Sequence, residues 1–294
     1  MSIKIVVADC SWGNIDVEKE YLPQNAIVEG YQLTTEGAVI EACSDADAIL
    51  AEYAPLSSRV LKHLKKCKII SNTAIGFDNI DIKAADDLGI AVANVPGYCA
   101  HEVADHTMSL ILSSCRNVAV YDRSVRNGEW NYEIGLEMDR LEGQVLGLAG
   151  FGRIAQFVAM RAHGFGFKVI ANDPYISQAF ADTLNVKLVE VEELFAESDI
   201  ISCHIPAMKD TIGYFNREKF DKMAKQPIFI NTSRGKLVNE EDLVEALENK
   251  KIRAAALDVL IDEPPCKDNK LLNLDNVIIT PHAGFFSKTA LREV

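Results

Sequence analysis

The stretch QVLGLAGFGRIAQFVAMRAHGFGFKVIAND, residues 144–173, decides the fold of this chain. An apolar run of strand length leads into the turn 150–155, which reads G-x-G-x-x-A, and a helix-like segment follows it. A second apolar run, 168–172, ends at Asp173. A strand, a glycine turn, a helix and a strand that ends in an acid predict the first βαβ unit of a dinucleotide-binding domain.

Each residue type in this turn has a physical task. Gly150 permits the tight turn, Gly152 lets the backbone approach a pyrophosphate, and Ala155 permits close packing of helix on strand. The first amides of the helix offer N–H donors to the anion. Asp173 can accept hydrogen bonds from both ribose hydroxyls and would repel a 2′-phosphate, so the sequence favours NAD over NADP. The alternative is a plain glycine turn with a surface aspartate.

The rest of the chain alternates short apolar runs with helix-period segments. This rhythm predicts two α/β units with parallel sheets that are covered on both faces. Pro96 and Gly97 break the chain near the boundary, a long helix is predicted over 101–117, and the polar residues 122–143 are predicted to be irregular. The predicted strands are 3–9, 26–30, 47–53, 68–72, 91–95, 144–150, 168–172, 186–190, 199–205, 227–233, 252–259 and 276–281.

Composition excludes several classes of protein. The 294 residues suffice for two domains, and 30 Lys and Arg against 43 Asp and Glu give a net charge of −13 that disfavours nucleic acid. No apolar run reaches about 18 residues, so we expect no membrane span. The opening MSIKIVVADC predicts a first strand and not a signal peptide. Seven cysteines without C-x-x-C spacing predict reduced thiols in a cytoplasmic protein, with no metal site.

Three polar residues follow predicted strands of the second unit. Arg234, Glu263 and His282 each come after a strand end, and the carboxyl ends of parallel strands form a ligand crevice. Reduction of a 2-keto acid needs a hydride, a proton and a cation for the carboxylate. We expect His282 to donate the proton, Glu263 to favour the protonated ring through its other nitrogen, and Arg234 to bind the oxygens. Taken singly, they also fit a loop cap, a turn residue and a surface ion pair.

Seven segments carry a resemblance to a known family over nearly the whole chain. The chain resembles the D-isomer-specific 2-hydroxyacid dehydrogenases, which include phosphoglycerate dehydrogenases and C-terminal-binding-protein-like branches. The segments, in that family's order, are SNTAIGFDNIDIKAA, NVPGYCAHEVADHTMSLIL, LGLAGFGRIA, HIPAMKDTIGYFN, FINTSRGKLVNEEDLVEAL, AALDVLIDEPP and ITPHAG.

The resemblance implies a fold and a set of site residues. It implies a flavodoxin-like substrate domain, 1–97 with 285–294 returning towards it, and an inserted Rossmann-type NAD domain, 98–284. It assigns Arg234 to substrate binding, Glu263 to partnering the histidine and His282 to acid/base catalysis on a small D-2-hydroxy acid or its 2-keto acid. It makes the backbone of Ala74, Ile75 and Gly76 a carboxylate cradle, and it implies a homodimer that the helix 101–117 helps to form. The residues that it places near NAD are Arg153, Ile154, Asp173, His204, Pro206, Thr211, Thr232, Asp258 and Thr107.

Some features have plainer interpretations. His101 and His106 are expected to pack or to hydrogen-bond, and Asp78 and Asp81 to act as local caps. The two tryptophans, Trp12 and Trp130, are predicted to be packing residues, although the loop of Trp130 could instead contact a second subunit.

The chain also departs from the family pattern. Ala155 replaces the frequent third glycine, and Asn72 stands where several relatives carry arginine. Relatives usually continue past the final FFSKTALREV with a helix that returns to the first domain. If the natural chain ends there, we expect the first domain to be held more loosely.

Two other functions stay open at this point. One is an NAD(H)-sensing regulatory protein similar to the corepressors of the same superfamily, which keep the same three residues. The other is a pseudoenzyme that binds NAD without turnover.

Overall fold

The computed structural model describes residues 2–10, 13–135 and 137–294. These residues form two compact units, Met1–Cys99 with Ser287–Val294, and Ala100–Phe286. In the described residues every one of the twelve predicted strands is present and lies within its predicted range. The expected architecture of two parallel-sheet α/β units is therefore confirmed.

The first unit is a five-stranded parallel sheet of order β2-β1-β3-β4-β5. This is the flavodoxin-like strand order, in which the connections cross to both faces of the sheet. Its buried core includes Val6, Ile49, Leu56, Val60 and Ile70. The elements are β1 Lys4–Val7, α1 Asp16–Tyr21, β2 Ile27–Gly30, α2 Glu36–Cys43, β3 Ala48–Ala51, α3 Ser58–Leu61, β4 Ile69–Asn72, α4 Ile82–Asp87 and β5 Ala91–Ala93.

The second unit is a seven-stranded parallel sheet of order β12-β11-β10-β9-β6-β7-β8. Six of its strands reproduce the Rossmann order, with β6 as the first strand, and β12 extends the edge beyond β11. Its strands are β6 Val145–Ala149, β7 Lys168–Asn172, β8 Lys187–Leu188, β9 Ile200–Cys203, β10 Ile228–Asn231, β11 Ala254–Leu257 and β12 Val277–Ile279.

Helices cover both faces of this sheet. Strands β9, β10 and β11 are buried at every position, which explains their continuous apolar sequences. The helices are α5 Ala100–Cys115, α6 Val118–Arg126, α7 Arg153–His163, α8 Gln178–Asp182, α9 Val191–Glu197, α10 Arg217–Asp221 and α11 Glu240–Glu248, with 3-10 turns at Tyr132–Ile134, Gly235–Leu237 and Lys270–Asn273. A last helix, α12 Lys288–Glu293, groups with the first unit.

Two predictions about the segment after α5 were wrong. Residues 122–126 are helical as the end of α6, because Asp122 and Arg126 form an i,i+4 ion pair and Ser124 turns towards the interior. Trp130 is 91% exposed and is not a packing residue. Trp12 lies outside the described residues.

Two expectations from composition concern membranes and thiols. Among the described helices, none combines the length and the apolar character that crossing a bilayer requires. All seven cysteines are free thiols, and six of them are buried. Burial raises the pKa of the Cys203 thiol to about 12, so this cysteine behaves as a small core residue.

Candidate active site

The glycine turn lies at the carboxyl end of β6, where the strand order of the second unit reverses. Gly150 has a φ of +91°, and a Cβ there would lie 2.7 Å from the carbonyl oxygen of His204, so this position requires glycine. Gly152 is the N-cap of α7, and no described atom lies within 4 Å of where its Cβ would be. This arrangement leaves open space beside the first amides of the helix, where a pyrophosphate fits.

Asp173 follows β7 and also shapes the glycine turn. Its Oδ2 accepts the N–H of Phe151 at 2.8 Å, and its Oδ1 accepts the N–H of Tyr175 at 2.8 Å. Each carboxylate oxygen has a second lone pair that can accept a hydroxyl. The residue predicted to select the ribose therefore has a further task, which is to fix the backbone of the turn.

Three predicted cofactor residues, His204, Pro206 and Thr211, lie in the loop after β9, which hydrogen bonds hold together. The Nε2 atom of His204 lies 2.9 Å from the hydroxyl of Ser202. Burial lowers the pKa of His204 to about 4, so its ring is neutral at neutral pH and unsuited to proton transfer there. The hydroxyl of Thr211 donates to the carbonyl of Pro206 at 2.7 Å and accepts the N–H of Met208 at 2.8 Å, which holds the loop together.

Two of the predicted cofactor residues contact each other. The hydroxyls of Thr107 on α5 and Thr232 after β10 are buried and lie 2.8 Å apart. The Thr107 hydroxyl also lies 2.7 Å from the carbonyl oxygen of Val103. Arg153 is exposed and Ile154 is half-buried at the start of α7, directly after the glycine turn. These residues lie at or beside the carboxyl ends of the strands.

His282 and Glu263 form a hydrogen-bonded pair. Nδ1 of His282 lies 2.6 Å from Oε2 of Glu263. The other carboxylate oxygen, Oε1, accepts the N–H of Leu260 at 3.0 Å, so the Glu263 carboxylate is held at both oxygens. The two side chains are 22% and 36% exposed. The pair is thus oriented by the protein and still accessible to a small molecule.

The turn that carries His282 is built around the buried carboxylate of Asp258. Its Oδ1 accepts the hydroxyl of Thr280 at 2.5 Å and the N–H of Ala283 at 2.9 Å, and its Oδ2 accepts the N–H of Gly284 at 2.9 Å. The backbone carbonyl of Asp258 accepts the N–H of His282 at 2.8 Å. These bonds hold His282 in the left-handed conformation at φ +52°, which is costly for a residue other than glycine.

His106 completes this network from helix α5. Its Nε2 lies 2.9 Å from the Thr280 hydroxyl and 3.2 Å from Oδ1 of Asp258, so it hydrogen-bonds as expected. Burial alone would raise the pKa of Asp258. The hydrogen bonds from His106, Thr280 and the two backbone amides outweigh burial and lower this pKa to about 2. Asp258 is therefore a carboxylate at neutral pH.

Arg234 follows β10 on a segment shaped by the buried Asn231. The amide of Asn231 donates to the carbonyl of Arg234 at 2.9 Å, and its oxygen accepts the N–H of Ser233 at 3.0 Å. A Cβ on Gly235 would lie 2.0 Å from the carbonyl carbon of Leu260, so only glycine fits there. The segment of Arg234 thus lies directly against the loop that leads to Glu263.

The predicted carboxylate cradle of the first unit lies between β4 and α4. Asn72, fully buried at the end of β4, donates to the carbonyl of Gly76 at 2.6 Å, and Asn94 donates to the carbonyl of Ile75 at 2.8 Å. The carbonyl of Ala74 accepts the N–H of Val95 at 3.1 Å. Within residues 2–10, 13–135 and 137–294, the amide N–H groups at 74–76 have no acceptor. The carbonyls of this loop are therefore bonded to the protein, and its three backbone N–H groups are available to a ligand.

Sequence reasoning missed the residues that shape these loops. Thr280 and Gly235 contact segments that are distant in sequence, whereas Asn231 bonds to backbone groups only two and three residues further along the chain. The one local signal was Asn or Thr at a strand end, where such residues commonly bond to nearby backbone. Asp81, by contrast, is a local cap, as predicted, and accepts the N–H of Ala84.

Comparison with known proteins agrees with this geometry. Residues 108–284 match the family model described as D-isomer specific 2-hydroxyacid dehydrogenase, NAD binding domain. A D-3-phosphoglycerate dehydrogenase from Methanocaldococcus jannaschii is 41% identical over 87% of this chain and 49% of that protein. The chain thus spans about half the length of that relative.

Two further relatives are covered over most of their length. A hydroxypyruvate reductase from Thermotoga maritima is 42% identical over 81% of this chain and 78% of that protein. A D-lactate dehydrogenase from Aquifex aeolicus, solved with NAD and lactic acid, is 28% identical with a TM-score of 0.89 over 99% of this chain and 91% of that one. The chain belongs to the D-isomer-specific 2-hydroxyacid dehydrogenase family and carries its NAD-binding domain.

Proposed function

We propose that the protein is an NAD-dependent oxidoreductase that interconverts a small 2-keto acid and the D-2-hydroxy acid. The observation that carries the proposal is the pair of His282 and Glu263, joined at 2.6 Å on a turn fixed by Asp258. A histidine held at one ring nitrogen by a carboxylate is oriented for proton transfer at the other. The family membership of the chain supports the same reaction.

The residues of the second unit divide the work of reduction. NADH supplies the hydride when it is bound. Nε2 of His282 gives a proton to the carbonyl oxygen as the alcohol forms, and it takes that proton back in the oxidation. Glu263 pairs with Nδ1 and so orients the ring. Arg234, half-buried after β10, binds the carboxylate and carbonyl oxygens with its planar fork.

The glycine turn and Asp173 support NAD over NADP. The open space beside Gly152 and the first amides of α7 fit a pyrophosphate. The carboxylate of Asp173, at the end of β7, accepts ribose hydroxyls and repels a 2′-phosphate. His204, Pro206 and Thr211 would border the adenosine half, and Thr107, Thr232 and Asp258 the nicotinamide half.

The loop at 74–76 supports an unphosphorylated substrate. The three carbonyls of this loop accept hydrogen bonds from the protein, and its three N–H groups remain as donors, a number suited to one carboxylate. The segment 71–80 contains no Lys or Arg that could pair with a phosphate, and the side chain of Asn72 already donates to the carbonyl of Gly76. We therefore propose a 2-keto acid with a small, uncharged side chain in preference to a phosphorylated one.

Steady-state assays test the function. NADH oxidation is measured with glyoxylate, hydroxypyruvate, pyruvate, phenylpyruvate, 2-ketoisocaproate and 3-phosphohydroxypyruvate, and NADH binding is measured by fluorescence. Turnover of an unphosphorylated acid supports the proposal. NADH binding without any turnover would leave the NAD-sensing protein or the pseudoenzyme, and preference for the phosphorylated acid would overturn the substrate class.

We also propose a cytoplasmic homodimer. Support for the dimer comes from the segment after α5, where Val118, Val125, Trp130 and Tyr132 are 47% to 91% exposed. Large exposed apolar residues that cluster in one segment are typical of protein interfaces. The free thiols suit a reducing compartment. Sedimentation equilibrium decides between monomer and dimer.

A further inference from the structure

A carboxylate outside the proposed catalytic residues holds the loop that carries Glu263. Glu240 is the first residue of α11 and is half-buried. Its Oε1 accepts the N–H of Ile261 at 2.7 Å, and its Oε2 accepts the side-chain amide of Asn269 at 3.0 Å. Glu240 therefore ties the loop between β11 and the 3-10 turn Lys270–Asn273 at two points.

Two successive backbone amides connect Glu240 to the Glu263–His282 pair. The N–H of Leu260 points to Glu263, and the next N–H, that of Ile261, points to Glu240. Leu260 is buried, and its carbonyl lies against Gly235. The peptide that joins Leu260 to Ile261 is thus held from both sides. The preceding peptide, which joins Val259 to Leu260, carries the N–H that donates to Oε1 of Glu263, so a shift of Leu260 would displace that donor.

An ordinary role as a helix cap does not account for Glu240. The N-cap of α11 is Asn239, whose side chain accepts the N–H of Asp242 at 3.1 Å. Both oxygens of Glu240 bond outside its own helix. Its neighbour Glu241 lies in the same first turn but is exposed, and no described residue bonds to its side chain.

We propose that Glu240 is a positioning residue, which sets the Glu263 carboxylate against His282 by clamping the loop at Ile261. It also couples the segment of Arg234 to that of Glu263, because α11 begins six residues after Arg234. The expected effect on kcat rests on the proposed function, whereas the contact of Glu240 with the loop does not depend on it.

The kinetic test compares Glu240→Ala with Glu241→Ala. Both variants remove one negative charge from the first turn of α11, so helix and charge effects are matched. We expect Glu240→Ala to lower kcat by about tenfold to 100-fold with an unchanged Kd for NADH, since a small misplacement of the catalytic groups is costly. Glu241→Ala should stay within about twofold of the wild type. Equal kcat values for the two variants overturn the proposal.

A conservative variant and a double-mutant cycle separate positioning from simple stabilisation. Glu240→Gln keeps an acceptor for Ile261, so we expect its kcat to recover to within about fivefold of the wild type. Because Glu240 acts through Glu263, adding Glu240→Ala to Glu263→Gln should cost less than about twofold more. Full additivity of the two losses would show that Glu240 acts by another route.

Amide hydrogen exchange tests the clamp without any turnover. We expect faster exchange over 258–264 in Glu240→Ala, and no change there in Glu241→Ala. If the wild type reduces no 2-keto acid, the proposed function fails and the exchange result still decides on the clamp. Unchanged exchange at Leu260 and Ile261 in a folded Glu240→Ala contradicts the proposal, and so does unchanged exchange in Glu240→Asp, whose carboxylate is one methylene shorter, if the alanine variant does not fold.

Discussion

Two loops of this molecule present binding groups in opposite ways. In the first unit, carboxamides of Asn72 and Asn94 hold the carbonyls at 75 and 76, and backbone N–H groups remain as donors. In the second unit, the carboxylate of Asp258 holds the N–H groups at 283 and 284, and the side chain of His282 projects from the turn. In the first loop, carboxamide side chains bond to the backbone carbonyls, and the backbone N–H groups remain for a ligand. In the second loop, a carboxylate bonds to the backbone N–H groups, and a side chain remains for a ligand.

The difference has a chemical consequence. Backbone amides are fixed dipoles that stay uncharged, so they suit recognition of a carboxylate whose charge does not change in the reaction. Proton transfer needs a group that can bind and release a proton, and the role that we propose for it falls to the imidazole of His282, which is paired with Glu263. The two loops therefore predict different kinetic defects when they are altered.

The largest effect is expected at His282. We choose His282→Asn because asparagine tolerates the φ of +52°, so that the turn is preserved while the imidazole ring is lost. Loss of an acid/base catalyst should lower kcat by about 10²-fold to 10⁴-fold with little change in NADH affinity. Stopped-flow reduction and NADH titration measure the two quantities.

The control for His282→Asn is His163→Asn. His163, at the end of α7, hydrogen-bonds the carbonyl of Leu184 through Nε2 and takes no part in the proposed site. Its replacement should leave kcat within about twofold of the wild type. Loss of NADH binding in His282→Asn would give this residue a structural role instead of a chemical one.

The next effect concerns the stability that Asp258 contributes. Its pKa is about 2 in the folded protein against 3.8 for an ordinary aspartate. The carboxylate therefore stabilises the fold fully above about pH 4, and this contribution is lost as the pH falls towards 2. The shift corresponds to about 2 kcal/mol, so the free energy of unfolding of Asp258→Asn should be lower by about that amount at neutral pH.

The pH dependence sharpens the comparison between the two loops. Urea unfolding should show that the difference in free energy of unfolding between the wild type and Asp258→Asn becomes smaller as the pH falls from about 4 to about 2. Asn72 and Asn94 do not titrate, so the gap for a variant of either should stay constant over that range. A constant gap for Asp258→Asn would mean that its carboxylate is not held by the bonds from Thr280, Ala283 and Gly284.

Sequence alone predicted the two parallel sheets, and it proposed the groups that we expect to carry the chemistry. Strand periodicity and the glycine turn sufficed for both parallel sheets, because each buried strand shows a continuous apolar run. Arg234, Glu263 and His282 were predicted as site residues because charged or titratable residues directly after buried strands are conspicuous. The structure pairs Glu263 with His282, since Nδ1 of His282 lies 2.6 Å from Oε2 of Glu263.

The rest could not be predicted, for a physical reason. The contacts of Glu240 and Asp258 depend on which backbone amides approach them from segments more than 20 residues away. In sequence, Glu240 looks like an ordinary acid at the start of a helix, a position that favours negative charge in any protein. The surface helix α6 was missed because its stability comes from exposed side-chain pairs and a narrow buried face.

The smallest effect is expected at Asn72, the residue that holds the carbonyl of Gly76. Asn72→Ala removes a 2.6 Å hydrogen bond, frees the peptide to rotate and leaves the carbonyl without its donor. If the loop binds the carboxylate as proposed, the KM for the 2-keto acid should rise about tenfold while kcat and NADH affinity stay nearly constant, since such binding is equal in ground and transition states. The matched control is Asn276→Ala, which removes a carboxamide bond to the carbonyl of Arg253 in the second unit. An equal rise in KM for the control would assign the effect to stability, and an unchanged KM for Asn72→Ala would remove the loop from the site.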